Sequence, residues 1–170
     1  MDAGRLIDRL AAGGPLFAAL FAGVDPQQAA WRPAPGKWSL LEVAAHLLDE
    51  EREDFRRRLE LVLDDPRREW PPIDPPGWVT SRAYAERDLA ATAGAFVAER
   101  AASVAWLRGL ARPDWDAAHA HPTLGEITAG DLLASWVAHD ALHLRQAAGL
   151  AYGYVRRLAG SHSPAYAGEW

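Results

Sequence analysis

Cysteine is absent from this 170-residue sequence, and methionine occurs once. Without cysteine the chain has no disulfide bond, no thiolate metal ligand and no cysteine nucleophile. Long apolar runs are missing too: the sequence contains no stretch of about 18 apolar residues, the length that a bilayer-spanning helix needs. The opening residues, MDAGRLIDRL, lack the basic and then apolar segments of a secretory signal. We therefore expect a cytoplasmic protein with no membrane partner.

Positive charge is in short supply. Lysine and arginine number 18 against 23 acidic residues, which gives a formal net charge of −5. A nucleic-acid partner would require a basic patch, so none is expected. The one basic run, residues 56–58, lies among acidic residues and indicates a solvated helix face. The apolar content of 49% is that of an ordinary globular chain, and the length predicts a single domain over residues 1–170.

Four segments have the apolar spacing of helices and are separated by loops rich in proline and glycine. Ser39 and Glu42 have the spacing of a capping box, and Thr128 and Asp131 repeat it. In the first segment, residues 13–15 (Gly-Gly-Pro) predict a kink or a restart. No strand-like alternation is evident. The predicted helices span residues 2–22, 39–63, 80–110 and 128–148.

Four helices of this length predict an all-α four-helix bundle. Residues 64–78 contain five prolines, which argues against regular structure there. Fully extended, those roughly fifteen residues would reach across a helix of about 25 residues. The second and third helices can therefore run parallel, although loop length alone leaves the topology open.

Two histidines lie one turn apart on the inward face of the fourth helix. Residues four apart are neighbours on a helix, so His139 and His143 can both reach one ion at about 2.0–2.1 Å. The alternative is a pair of core histidines satisfied by hydrogen bonds. Gln146 lies on the same face and is a candidate for binding a cofactor. Asp140 faces sideways and is expected to be an external ion-pair or hydrogen-bond partner.

The second helix has a polar face that includes His46, Glu50 and Glu53. A solvated surface is the simple interpretation. The functional interpretation is a cleft wall from which His46 reaches the same ion as the fourth-helix pair. Glu50, one turn from His46, is then a candidate catalytic base or hydrogen-bond partner of that histidine. A solvated carboxylate is the alternative.

Two stretches, WRPAPGKWSLLEVAAHLLDEE and HPTLGEITAGDLLASWVAHDALHLRQ, resemble the DinB-like family of small bacterial metal-binding bundles. The specific elements are a Trp-Ser start before His46, an HPxLGxIT start to the fourth helix, and an HDxxH pair followed by Gln146. The resemblance covers the second helix, the last loop and the fourth helix. The first and third helices match only in length and amphipathicity.

The resemblance implies an up-down-down-up bundle with a long crossover between helices two and three, and a homodimer. It also implies one divalent ion, usually zinc or nickel, on His46, His139 and His143. Characterised members include thiol S-transferases and a thiol-dependent isomerase. The implied function is a metal-dependent enzyme that uses a low-molecular-weight thiol on a small electrophilic substrate. The alternatives are a metal-dependent hydrolase and a non-catalytic, metal-stabilised stress-response protein.

Overall fold

The computed structural model describes residues 1–168, most of which are helical. The bundle consists of α1 (Ala3–Phe21), α3 (Leu40–Glu53) with its continuation α4 (Phe55–Asp64), α6 (Leu89–Gly109) and α7 (Ala129–Ala159). Its connections contain the short helices α2 (Pro26–Ala30) and α5 (Pro75–Ser81) and the antiparallel hairpin of β1 (Ala118–His121) and β2 (Gly125–Thr128). Single 3-10 turns occur at Tyr84–Glu86 and Ala165–Ala167.

The direction of each helix follows from which residues touch. α1 and α6 run antiparallel, with the contacting pairs Asp8–Arg108, Leu10–Arg100 and Phe17–Phe96. α3 and α4 run parallel to α6, with the pairs Arg52–Glu99 and Arg56–Trp106. α7 runs antiparallel to α3 and α4, with the pairs His46–His143 and Phe55–Trp136. The predicted up-down-down-up bundle is thus confirmed, with the long crossover between α4 and α6.

Apolar side chains form two large buried clusters, one toward each end of the bundle, and a smaller one of Ala45, Trp78 and Tyr84 under the crossover. One large cluster includes Phe17 and Phe96, and the other includes Leu10 and Trp136. Burial of this surface is the main term that favours the folded chain. Buried ionisable side chains also occur in the bundle, and they include Glu51, Arg100 and Asp140. Among residues 1–168, no helix is long and apolar enough to cross a membrane.

Both predicted capping boxes are present. The Ser39 hydroxyl accepts a hydrogen bond from the Glu42 N–H, and the Glu42 carboxylate accepts one from the Ser39 N–H. Thr128 and Asp131 make the same reciprocal pair. Each pair satisfies backbone donors that a helix start leaves free. These caps define the starts of the two helices that carry the candidate metal ligands.

The first two predicted helices differ from the structure at internal positions. α1 continues through Pro15, so of the two predicted alternatives, a kink or a restart, the restart is wrong. Proline removes one backbone hydrogen bond, but packing of the helix on α6 and α7 maintains the flanking turns. The second predicted helix is in fact two, because a turn at Asp54 separates α3 from α4.

The crossover contains more regular structure than predicted. Residues 75–81 form α5, in which Pro75 and Pro76 occupy the first turn. The N–H groups of a first turn have no acceptor within the helix, so proline loses no helical hydrogen bond there. The Asp74 carboxylate accepts a hydrogen bond from the Gly77 N–H at 3.0 Å. The third bundle helix begins at Leu89 rather than near residue 80, after the Asp88 cap. The starts of α5 and α6 are therefore fixed by the local N-caps Asp74 and Asp88.

The last helix is longer than predicted. α7 ends at Ala159 rather than near residue 148, and its backbone remains helical through Gly149. Trp31 packs on Gly153 and near Tyr154, which supports the additional turns. A single 3-10 turn at Ala165–Ala167 follows α7. Residues 169–170, which belong to the predicted domain over residues 1–170, lie outside the described residues.

The β1–β2 hairpin is a further correction, since no strands were predicted. Each strand has four residues, with His121 opposite Gly125. Four residues are too few to show a clear alternation of apolar and polar side chains. Gly125 adopts a φ of 78°, a left-handed conformation that glycine tolerates. The hairpin leads directly into the Thr128 cap of α7.

Candidate metal centre

Three histidines converge between α3 and α7. Their Nε2 atoms face one another, with 3.3 Å between His46 and His139 and 3.0 Å between His139 and His143. One nitrogen from each of the three lies within 4.8 Å of those of the other two. His46 is buried, whereas His139 and His143 are half-buried. The antiparallel arrangement of α3 and α7 brings together residues that lie more than 90 positions apart.

The triad fits a divalent ion. Ligand atoms at adjacent corners of a tetrahedron, each about 2.0–2.1 Å from zinc, are about 3.3 Å apart, close to the separations observed here. No fourth His, Cys, Asp or Glu ligand joins the group within residues 1–168. Three protein ligands leave at least one coordination position open, which is the arrangement of catalytic rather than structural zinc sites.

All three imidazoles favour the neutral form that a metal requires. Burial, and then the neighbouring His143, lowers the pKa of His46 to about 3. Burial, with the two other histidines, lowers the pKa of His139 to about 2. Burial also lowers the pKa of His143, against the opposing effect of Gln146. At neutral pH the triad is therefore uncharged, and its ring nitrogens have lone pairs available.

Gln146 orients one of these rings. Its side-chain oxygen lies 2.8 Å from Nδ1 of His143, and an amide oxygen can only accept a hydrogen bond. His143 therefore carries its proton on Nδ1, which leaves the lone pair of Nε2 directed at the triad. Gln146, which was predicted as a cofactor-binding residue, thus contacts a candidate ligand of the ion.

Glu50 lies behind His46. Its Oε1 is 3.7 Å from Nδ1 of His46, and neither atom has a hydrogen-bond partner among residues 1–168. Glu50 is only 5% exposed, so its interpretation as a solvated carboxylate is wrong. Burial, reinforced by the nearby Asp54, raises the pKa of Glu50 to about 8. Glu53, in contrast, is exposed, which agrees with the alternative that this face of the second helix is a solvated surface.

Aromatic side chains enclose the triad on two sides. The Trp38 ring lies 4.9 Å from that of His46, and the Phe55 ring lies 5.0 Å from that of His139. Phe55 in turn stacks on Trp136. Aromatic walls exclude water and lower the local dielectric, which strengthens electrostatic interactions inside the site.

Asp140 is placed differently from the prediction. It is buried rather than external, and it forms an ion pair with Arg100 of α6. Arg100 and its second partner, Glu51, were not singled out from the sequence. The glycine pair at residues 13 and 14 could have indicated such a contact, because glycine within a helix permits close approach of a side chain from another helix.

The other three histidines lie outside the triad. His119 and His121, both in β1, contact the Trp70 ring beside a cavity of about 690 Å³. A second cavity of about 680 Å³ lies between the end of α1, α2 and the start of α6, with mainly apolar lining. Neither cavity includes a triad residue. His162 is exposed in the turn after α7.

Comparison with known proteins agrees with this architecture. The model of the DinB superfamily matches residues 9–147, which include all three histidines. The chain belongs to the DinB superfamily. Among solved structures, this DinB protein is similar to YfiT from Bacillus subtilis, with a TM-score of 0.77 and 22% identity over 94% of this chain and 89% of that one.

YfiT is described as a probable metal-dependent hydrolase with an unusual four-helix bundle topology. At this level of identity the likeness establishes the fold, which is the four-helix bundle described above. No curated protein matches the chain.

Proposed function

We propose that this DinB protein is a metal-dependent enzyme, and that it is a hydrolase of a small molecule. The observation that carries the proposal is the convergence of three neutral imidazoles with no fourth protein ligand among residues 1–168. A purely structural ion would be expected to have four protein ligands. The open position is where a reacting group would lie.

When bound, a divalent ion with three neutral ligands lowers the pKa of a water molecule or a thiol at its open position. The chain's own residues have separate roles. His46, His139 and His143 hold the ion, and Gln146 fixes the tautomer of His143. Glu50 lies beside Nδ1 of His46, where its carboxylate form would accept a hydrogen bond from the ring N–H, and it is the proposed group that exchanges a proton with the substrate.

The hydrolase assignment is supported by the likeness to YfiT, which is described as a probable metal-dependent hydrolase. A buried carboxyl group beside a candidate ligand also suits an enzyme that moves protons near neutral pH. Zinc or nickel is the proposed ion, since imidazole nitrogens suit both metals.

A second candidate is a thiol S-transferase, in which a low-molecular-weight thiol attacks a small electrophile. The observation that favours it is the HPxLGxIT and HDxxH resemblance to a family with such members. An ion on the triad would serve either candidate, because its open position could take water or a thiolate. The two candidates therefore differ in the second reactant.

Metal content is the first experiment. The protein is purified without a histidine tag or chelator and analysed for metals, beside His139→Ala and the control His162→Ala, which removes an exposed histidine outside the triad. We expect about one zinc or nickel per chain in the wild type and the control, and a loss in His139→Ala. An absence of metal from all three, even after reconstitution, would sink the proposal.

Activity assays then separate the two candidates. Panels of esters, amides and lactones test hydrolysis, and consumption of small thiols with electrophiles tests transfer. Hydrolysis that is abolished in His139→Ala supports the first candidate. Thiol-dependent turnover with no hydrolysis supports the second. Light scattering on the same preparation tests the predicted homodimer.

A further inference from the structure

One buried side chain joins all four helices of the bundle. Arg100 of α6 is 2% exposed, and its guanidinium donates hydrogen bonds to Glu51 of α3 and Asp140 of α7. It also donates to the backbone oxygen of Leu10 in α1 at 3.3 Å. The contacts to Asp140 are bidentate, at 2.5 and 2.9 Å, and those to Glu51 measure 3.0 Å.

The two carboxylates belong to the helices that carry the triad. Asp140 directly follows His139, and Glu51 lies in α3 just over one turn beyond His46. Glu51 also accepts a hydrogen bond from the indole N–H of Trp136, one turn before His139, at 3.0 Å. Arg100 therefore links α3 and α7 close to the place where their histidines meet.

A glycine in α1 makes room for this network. A methyl group at Gly13 would lie 2.5 Å from Oδ2 of Asp140 and 3.0 Å from Nη1 of Arg100. At Gly14 the nearest atom would be Cγ of Arg100 at 3.5 Å, which is ordinary van der Waals contact. Glycine is unfavourable within a helix, so its presence at position 13 has a local reason in the close approach of Asp140.

We propose that Arg100, Glu51, Asp140 and Gly13 form a positioning unit that sets the separation and register of α3 and α7 and thereby preorganises the triad for its ion. This inference rests on the proposed metal binding. None of the four residues contacts the Nε2 atoms at which the ion would bind. They act through the backbone and through the residues beside the ligands.

A role limited to stability accounts less well for the network. Replacing a buried ion pair by apolar residues is often neutral or stabilising, whereas a fully bonded network can select one packing arrangement. Apolar clusters already hold both ends of this bundle. Fixed ligand positions matter for metal affinity, and loss of residues that support the ligands typically weakens it roughly 10–100-fold.

The first test compares two neighbouring substitutions in α1. Gly13→Ala forces Asp140 or Arg100 to move, while Gly14→Ala adds the same methyl group without displacing either. Metal-free protein is titrated with Co²⁺, which gives a dissociation constant and a visible spectrum that reports coordination geometry. We expect Gly13→Ala to bind about tenfold or more weakly with an altered spectrum, and Gly14→Ala to match the wild type.

A second comparison separates positioning from stability. The triple variant Arg100→Met, Glu51→Gln and Asp140→Asn removes the network without leaving a lone buried charge. Leu107→Ala, at a buried position two turns along α6, destabilises the bundle but leaves the network intact. We expect the triple variant to lose Co²⁺ affinity and Leu107→Ala to retain it.

The outcomes distinguish this inference from the proposed function. If the wild type binds Co²⁺ and both Gly13→Ala and the triple variant bind it equally tightly with the same spectrum, the positioning role is overturned while metal binding stands. If Leu107→Ala weakens binding as much as the triple variant, stability alone explains the effect and the inference also fails. If the wild type binds no metal, the proposed function itself is wrong.

Discussion

His143 and Gln146 form a hydrogen bond within α7, in which the ring Nδ1 lies 2.8 Å from the glutamine side-chain oxygen. The bond determines which ring nitrogen of His143 carries the proton. A ligand whose tautomer is already correct binds an ion without first rearranging.

Removal of this partner should weaken metal binding. In Gln146→Ala the ring of His143 can rotate and change tautomer, so we expect an increase in the metal dissociation constant of roughly 10–100-fold. Competition with a chelator of known affinity measures it. The control is Arg145→Ala, at the exposed neighbouring position, which should bind as the wild type does. Equal affinity in both variants would contradict the proposed role.

The metal-free protein should lose stability in mild acid. The pKa of His46 falls from its ordinary 6.5 to about 3 in the folded chain, so below pH 6.5 the unfolded chain binds a proton that the folded chain does not. Its contribution is fully present above pH 6.5 and decreases as the pH falls toward 3. Between pH 7 and 5 this one histidine should lower the free energy of unfolding by about 1–2 kcal/mol.

Urea unfolding of chelator-treated wild type and His46→Gln at pH 7 and pH 5 measures this effect. Glu50 acts in the opposite direction, because burial raises its pKa to about 8, so the difference between the two proteins is the quantity to compare. The wild type should lose more stability than the variant over this interval. Equal losses would show that His46 is not buried in its neutral form.

A buried tyrosine in the crossover should contribute to the stability of the fold. The Tyr84 hydroxyl donates a 2.7 Å hydrogen bond to the buried carboxylate of Asp49, which also pairs with Arg82 and Arg87. Tyr84→Phe removes one charge-assisted bond and leaves the two ion pairs. We expect a loss of about 1–2 kcal/mol in the free energy of unfolding. Tyr166→Phe, at an exposed position, is the control and should have no measurable effect.

Two helix glycines should respond to alanine with opposite signs. Gly94 in α6 has open space around its missing side chain, so Gly94→Ala should raise the free energy of unfolding by about 0.5–1 kcal/mol through helix propensity. At Gly153 in α7 a methyl group would lie 2.9 Å from the Trp31 ring, so Gly153→Ala should be destabilising. Chemical denaturation of both variants is the measurement, and the same sign for both would contradict the packing described here.

Much of the fold could be read from local patterns. The two capping boxes and the apolar periodicity indicated the bundle helices, because both depend on residues within a few positions of one another. Some of the errors lie where neighbours outside the local sequence intervene. The last helix was predicted to end at residue 148, yet Trp31 packs on the following turn and the helix continues. The β hairpin was missed because its strands are only four residues long.

The histidine triad could be proposed from the sequence because the fourth-helix pair has metal-ligand spacing and the family resemblance supplies His46. The tautomer of His143, the burial of Glu50 and the pairing of Asp140 with Arg100 could not. Each depends on which side chain a distant element presents. Asp140 and Arg100 lie on different helices, 40 positions apart, and nothing in their local sequences indicates a partner.

The sequence by itself therefore determined the four bundle helices in outline, their two capping boxes and the residue types that can bind an ion. Only the tertiary structure brings the three Nε2 atoms together and buries the charged side chains beside them. It also leaves the triad without a fourth His, Cys, Asp or Glu ligand among residues 1–168. The physical reason is the range of each effect. Helix propensity and capping act over a few residues, whereas ligand geometry, desolvation and pKa shifts arise only when separate helices pack together.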